Sequence, residues 1–90
     1  MIIEFLEARK LAEDYLAVMA SKPGGVKYLI VTDRVFESND GWYFPYQSEK
    51  YLLTGDFNYS VVGNWPIFVR HDGGYIGGRR PDAILSNVKS

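Results

Sequence analysis

The residues that most invite a chemical role lie near the end of the chain, where His71, the only histidine, is followed by Asp72. A Ser/His/Asp hydrolase needs a base within hydrogen-bond reach of a nucleophile and an acid that orients the base. Neighbours on a strand point to opposite faces, so we expect these two side chains to point apart. The sequence also lacks the Gly-x-Ser-x-Gly segment of one hydrolase class. It therefore predicts no catalytic residue and a protein that is not an enzyme.

Metal and phosphate sites are equally disfavoured. With one histidine, no cysteine and scattered carboxylates, the chain offers no set of metal ligands at a known spacing. The glycine-rich run at residues 73–80 flanks an expected strand instead of opening a helix, and it lacks a Gly-x-x-x-x-Gly-Lys-Ser/Thr segment. We expect turn glycines beside the exposed pair Arg79 and Arg80, with no cofactor and no metal.

Aromatic residues are the more promising feature, since they make up 16% of the chain. Trp42, Phe44 and Phe68 are expected on the core face of a sheet. The remaining tyrosines and Trp65 are too many for so small a core, and exposed Tyr and Trp are enriched at protein interfaces. Nucleic acid is disfavoured as a partner, because the net charge is −1 and Lys50 is the only basic residue between Trp42 and Val69.

Length and hydropathy set the class of protein. Ninety residues fit one domain, which we expect to cover residues 1–90. Glu4 and Glu7 interrupt the N-terminal apolar run, so it does not resemble a secretory signal. No stretch approaches the roughly 20 apolar residues of a membrane span. The sequence predicts a cytoplasmic protein with no membrane contact.

The elements that position these residues follow from periodicity. Apolar side chains at spacings of three and four predict an amphipathic helix over the first twenty residues, ended by the sequence at 21–25. The predicted buried stripe is Phe5, Ala8, Ala12, Leu16 and Met19, with Tyr15 beside it.

After the helix the pattern changes to that of strands. Residues 26–32 and 42–44 predict a hairpin around the turn at 37–41, where Asp-Gly favours a positive φ. Residues 67–71 and 75–77 predict a second hairpin, and Pro81 can open a short helix at 81–85.

The middle of the chain has two interpretations. Residues 48–53 fit one helical turn with Ser48 as N-cap and Gly55 just beyond its end, or they prolong a strand; the helix is favoured. Together these elements predict an α+β fold in which an N-terminal amphipathic helix packs on a small antiparallel sheet of about four strands, with a short C-terminal helix.

Four short motifs follow one another along this order: Gly41-Trp42-Tyr43-Phe44, Thr54-Gly55-Asp56, Gly63-Asn64-Trp65-Pro66 and Asp72-Gly73-Gly74. This series resembles the bacterial immunity protein 35 family, which includes the YrhB-like small proteins. The resemblance spans roughly residues 4–85 and departs from the family in the short last helix and the glycine- and arginine-rich run at 77–80. Its motif residues, for which scaffold roles are expected, are Gly41, Trp42, Gly55, Gly63, Asn64, Pro66, Asp72 and Gly73.

The resemblance implies a cognate immunity protein of a polymorphic toxin system, which binds a toxin protein and blocks it. For the YrhB-like branch it implies instead a chaperone-like role. We expect a monomer or weak homodimer that uses the surplus aromatic surface. The predicted partner contacts are Tyr43, Tyr46, Tyr51, Asp56, Tyr59 and Trp65.

Overall fold

A computed structural model describes residues 2–21, 26–59 and 65–81. Within these ranges the chain forms two α-helices and six β-strands. The helices are α1 (Phe5–Ala20) and α2 (Glu49–Thr54), and the strands are β1 (Tyr28–Ile30), β2 (Phe36–Glu37), β3 (Gly41–Phe44), β4 (Tyr46–Ser48), β5 (Ile67–Arg70) and β6 (Ile76–Gly78). The predicted helix at 81–85 lies outside the described residues, apart from Pro81.

Helix α1 begins at Phe5, four residues later than predicted, and packs through the middle of the predicted stripe. Ala8, Ala12 and Leu16 are fully or almost fully buried, one helical turn apart. Because two of these three side chains are alanines, the helix axis approaches the sheet closely. The helix ends at Ala20, and the backbone N–H of the next residue, Ser21, donates to the carbonyl of Ala17.

The strands form two antiparallel sheets, one of four strands in the order β2-β3-β5-β6 and one of two strands, β1 and β4. The α+β class and the helix on an antiparallel sheet are confirmed. The expected hairpin between residues 26–32 and 42–44 is wrong. The first of these segments contains β1, which pairs with β4, and the second lies in β3, which pairs with β2 and β5.

Pro45 is the physical reason for this division. It separates β3 from β4, and without an N–H it cannot continue the β3 ladder. Its carbonyl instead accepts a hydrogen bond from the N–H of Val31, at 2.9 Å, just after β1. The chain therefore leaves the larger sheet at Pro45 and enters the smaller one.

The core lies between α1 and one face of the larger sheet. Trp42 and Phe44 of β3 and Ile67 and Val69 of β5 are buried there in one cluster with the alanines of α1. The ring of Phe5 meets Trp42 edge-on at 6.2 Å between centroids. The expected role of Trp42, packing the helix onto the sheet, agrees with this geometry.

Tyr43 corrects the sequence analysis, which placed it among the exposed partner contacts. Its side chain is only 1% exposed. It points to the sheet face opposite α1, where its ring lies 4.8 Å from the ring of Phe36 and 4.8 Å from that of Phe68. Phe68, expected on the core face, is buried on this second face too, because it pairs directly with Tyr43 across β3 and β5.

An arginine covers part of this second face. The guanidinium of Arg79 lies 4.4 Å from the centre of the Phe68 ring, and its Nη1 donates to Asp40 Oδ2 at 2.8 Å. Hydrogen bonds from Ser38 and from Arg79 lower the pKa of Asp40. Arg79 was expected to be exposed beside a turn. It is instead half-buried and covers part of the sheet face opposite α1.

Gly41 gives the sharpest test of this packing. It is buried at the start of β3, and a Cβ there would collide with the Val69 carbonyl and lie 2.6 Å from Phe68 Cζ. We expect Gly41→Ala to lower the free energy of unfolding by about 3 kcal/mol, because neither the strand nor the packed ring can move away. Urea denaturation measures this change.

The matched control is Gly78→Ala in β6 of the same sheet. A Cβ at Gly78 would meet only Trp65 Cβ, at an ordinary 3.8 Å. This variant should stay within about 0.5 kcal/mol of the parent. Equal stability of the two variants would contradict the packing described for Gly41.

Candidate partner-binding surface

The remaining predicted contacts are distributed over two places. Tyr46 lies in β4, Tyr51 in α2 and Asp56 just after α2, so these three follow one another along a short stretch of chain. Tyr59 ends a 3-10 turn at Phe57–Tyr59 that continues this stretch. Trp65 lies elsewhere, against Gly78 at the end of β6 and 5.7 Å from the guanidinium of Arg80.

Tyr46 is only half-exposed. Its ring meets that of Tyr28 edge-on, with 5.3 Å between centroids, and it packs against the core cluster. Burial raises the pKa of Tyr46, and the nearby Tyr28 and Tyr15 add to this effect. Its free surface is therefore smaller than the sequence analysis expected.

Helix α2 is fixed at both ends by the residues that the sequence predicts. Ser48 is the N-cap, and its Oγ accepts a hydrogen bond from the N–H of Tyr51 at 3.0 Å. Gly55 ends the helix in the left-handed region with φ 72°, and its N–H donates to the carbonyl of Tyr51. The helical interpretation of residues 48–53 is confirmed, and the alternative of a prolonged strand is wrong.

The residues after α2 are held by their own side chains. The Thr54 hydroxyl donates to the carbonyl of Lys50 at 2.8 Å and accepts from the N–H of Asp56 at 3.2 Å. Asp56 Oδ1 accepts from the N–H of Asn58 at 2.9 Å, which starts the 3-10 turn. Asp56 thus has a local structural role that the sequence analysis did not assign.

Two large apolar side chains on this segment lie in solvent. Leu53 is 78% exposed and Phe57 80% exposed. Leu52 is about half-exposed, and the ring of Tyr51 lies 6.0 Å from that of Phe57. We call the surface formed by Tyr51, Leu52, Leu53, Asp56 and Phe57 the α2 patch.

The sequence analysis missed Leu52, Leu53 and Phe57 as candidate contacts. A signal for them was present, because adjacent leucines on a helix point about 100° apart and a helix of six residues has little to pack against. Neither leucine is buried in the structure. The exposed apolar surface is therefore aliphatic as well as aromatic.

The family motif near the second hairpin has a scaffold geometry. Gly73 has φ 74° and donates its N–H to the carbonyl of Arg70. Asp72 Oδ1 accepts from Arg70 Nε and from the N–H of Gly74, and these hydrogen bonds hold the pKa of Asp72 well below its usual range. At the other end, the carbonyl of Pro66 accepts from the N–H of Arg79. Gly63 and Asn64 lie outside the described residues.

The side chain of His71 contacts Glu37 and Trp42. Its Nε2 lies 2.7 Å from Glu37 Oε2, and its ring meets the Trp42 ring edge-on at 4.7 Å. The neighbouring carboxylate, Asp72, bonds to Arg70 and Gly74 instead.

Over residues 2–21, 26–59 and 65–81 no three His, Asp or Glu side chains form a group that could hold a metal ion. No helix in these ranges is long and apolar enough to cross a membrane.

We expect Gly55→Ala to loosen the α2 patch. No atom lies within 4 Å of a Cβ at Gly55, so the change adds only the strain of a left-handed backbone, about 1 kcal/mol. Amide hydrogen exchange across α2 should become about fivefold faster. Gly55→Asn is the control, since asparagine adopts this conformation more readily, and it should exchange at a rate closer to that of the parent. Equal rates in all three proteins would contradict the capping role of Gly55.

Comparison with known proteins gives one match. A family model described as immunity protein 35 matches residues 6–88, nearly the whole chain. No match was found among curated proteins or among solved structures.

Proposed function

The chain belongs to the immunity protein 35 family, and we propose on that premise that it binds a cognate toxin of a polymorphic toxin system and blocks it by occlusion. The family name supports an immunity role, and the identity of the toxin and the mode of blocking are our proposal. In this role the protein performs no catalysis, and its activity is the binding of the toxin through one surface.

The observation that carries the proposal is the α2 patch. Monomeric proteins rarely expose several large apolar side chains side by side, and such groups mark sites of protein contact. Leu53 and Phe57 lie almost fully in solvent on a segment fixed by the Ser48 cap and the Asp56 turn. A fixed apolar surface loses little conformational freedom on binding, so most of its burial stabilises the complex.

The geometry also suggests how the patch is arranged. Leu53 and Phe57 would enter the partner as central anchors, where burial contributes most to affinity. Tyr51 and Asp56 lie beside them and can offer hydrogen bonds at the rim. We propose Tyr46, Tyr59 and Trp65 as outer contacts, since a standard interface of about 800 Å² per partner extends beyond α2.

The direct test requires a candidate toxin domain, which we expect to be encoded beside the gene for this chain. Purified toxin domain and purified chain are mixed in a calorimeter, and both are co-expressed in a sensitive host to score growth. We expect the double variant Leu53→Asp, Phe57→Asp to bind at least 100-fold more weakly and to lose protection, because two anchors become charges that must be desolvated.

The matched control is Leu6→Asp. Leu6 is 76% exposed on α1, so it resembles Leu53 in side chain and exposure but lies outside the α2 patch. Binding and protection should persist in this variant. Parent-like binding by the double variant would place the contact elsewhere, and no binding or protection by the parent chain would remove the proposed function.

A second candidate is a chaperone-like protein that holds apolar segments of many clients. It is favoured by one observation, since Ile2, Leu6 and Val18 on and before α1 are also strongly exposed. In that case the parent chain suppresses light scattering from unrelated heated enzymes, and Leu6→Asp weakens this effect as much as the α2 double variant does. Selective loss in the toxin assay alone favours the immunity role.

A further inference from the structure

Among residues 2–21, 26–59 and 65–81, no strand pairs with the edge of β1 that faces away from β4. The Val31 N–H donates to the Pro45 carbonyl, and the Glu49 N–H donates to the Lys27 carbonyl. The backbone N–H and C=O groups of the odd-numbered residues along β1 therefore point toward β4. Backbone groups alternate in an antiparallel ladder, and the peptide groups of Tyr28 and Ile30 therefore point the other way. No described residue forms a backbone hydrogen bond to them on that side.

A groove of about 570 Å³ leaves room beside β1 and the second half of α1. On α1 it is lined by Glu13, Leu16, Ala17 and Ala20, and on β1 by Tyr28, Leu29 and Ile30. Helix α1 thus does not close the strand off. Exposed edges with free N–H and C=O groups pair readily with another strand unless charge, proline or a covering element prevents it.

We propose that this edge pairs with β1 of a second copy of the chain, in an antiparallel two-fold arrangement that joins the two small sheets into one of four strands. Tyr28 and Ile30, whose peptide groups point away from β4, lie on either side of Leu29. When Leu29 lies opposite Leu29 of the second copy, Tyr28 of each chain faces Ile30 of the other. Each of these two pairs exchanges both of its N–H···O bonds, which gives four in all.

The side chains suit the same register. Leu29 is 37% exposed, and in the dimer it gains an apolar neighbour directly across the two-fold axis. Lys27 is mostly exposed and lies 3.5 Å from Glu49 of its own chain, and in the dimer it comes to lie opposite Val31 of the second copy.

The size of the contact sets its strength. Three residues per strand bury much less than the roughly 800 Å² per partner of a stable complex, so the dimer forms at high protein concentration. Because α2 follows β4, on the far side of β1 from the seam, each copy keeps its α2 patch free. The dimer is thus independent of the proposed function and compatible with it.

The test is sedimentation equilibrium of the parent chain from 20 μM to 1 mM, together with amide hydrogen exchange at both concentrations. We expect concentration-dependent dimers, with slower exchange at Tyr28 and Ile30 in the concentrated sample. Leu29→Lys should lower the association constant at least tenfold, because it places two like charges directly opposite each other. Since Leu29 is partly exposed, the far-ultraviolet spectrum should show that this variant folds.

The matched control is Leu53→Lys, which adds the same charge on the α2 patch and should leave association unchanged. A parent chain that stays monomeric at 1 mM overturns the proposal. So does a dimer that Leu29→Lys leaves intact or that Leu53→Lys dissolves, since its seam then lies elsewhere. Protection of Tyr28 and Ile30 by the toxin domain in a chain that remains monomeric would assign the edge to the toxin instead and also overturn it.

Discussion

The pairing of β3 with β5 is the constraint on which the rest of the structure depends. These two strands are buried on both faces, with Trp42 and Val69 toward α1 and Tyr43 and Phe68 toward the opposite side. The start of β3 has no room for a larger residue, because a side chain at Gly41 would meet the backbone of β5. Helix α1, β2, β6 and Arg79 each cover part of this central pair.

This arrangement determines what remains at the periphery. The central pair and α1 form the buried core cluster, and Pro45 then directs the chain out of the larger sheet. The segment from β4 through α2 is consequently held by caps and turns, such as Ser48 and Asp56, more than by burial. Leu53 and Phe57 therefore remain mostly exposed, at 78% and 80%.

Local signals in the sequence were sufficient for the elements whose causes are local. The stripe of α1 follows from periodicity, and the ends of α2 follow from Ser48 and Gly55, whose preferences act within a few residues. Strand pairing was predicted less well, because β1 finds β4 through Pro45, a contact that depends on the path of the whole chain. Tyr43 shows the same limit, since alternation marks it as facing away from the helix but cannot tell whether that second face is covered.

The candidate surface shows the converse limit. Aromatic content pointed to the stretch of chain that carries the α2 patch, but hydrophobicity alone does not separate a core leucine from an exposed one. Leu52 and Leu53 have the composition of a core, and only the shortness of α2 and its position beyond β4 leave them outside. Predicting them required knowledge of where the core ends, which is a property of the assembled fold.

The local bracing of α2 has an evolutionary consequence. Hydrogen bonds from Ser48, Thr54 and Asp56 fix the shape of the segment, while Leu53 and Phe57 contribute little to the core. Substitutions at such exposed positions usually change stability by no more than about 0.5 kcal/mol. Under the proposed immunity role, the residues that would meet the toxin could therefore change without loss of the fold, and this separation would let a small protein follow a changing toxin.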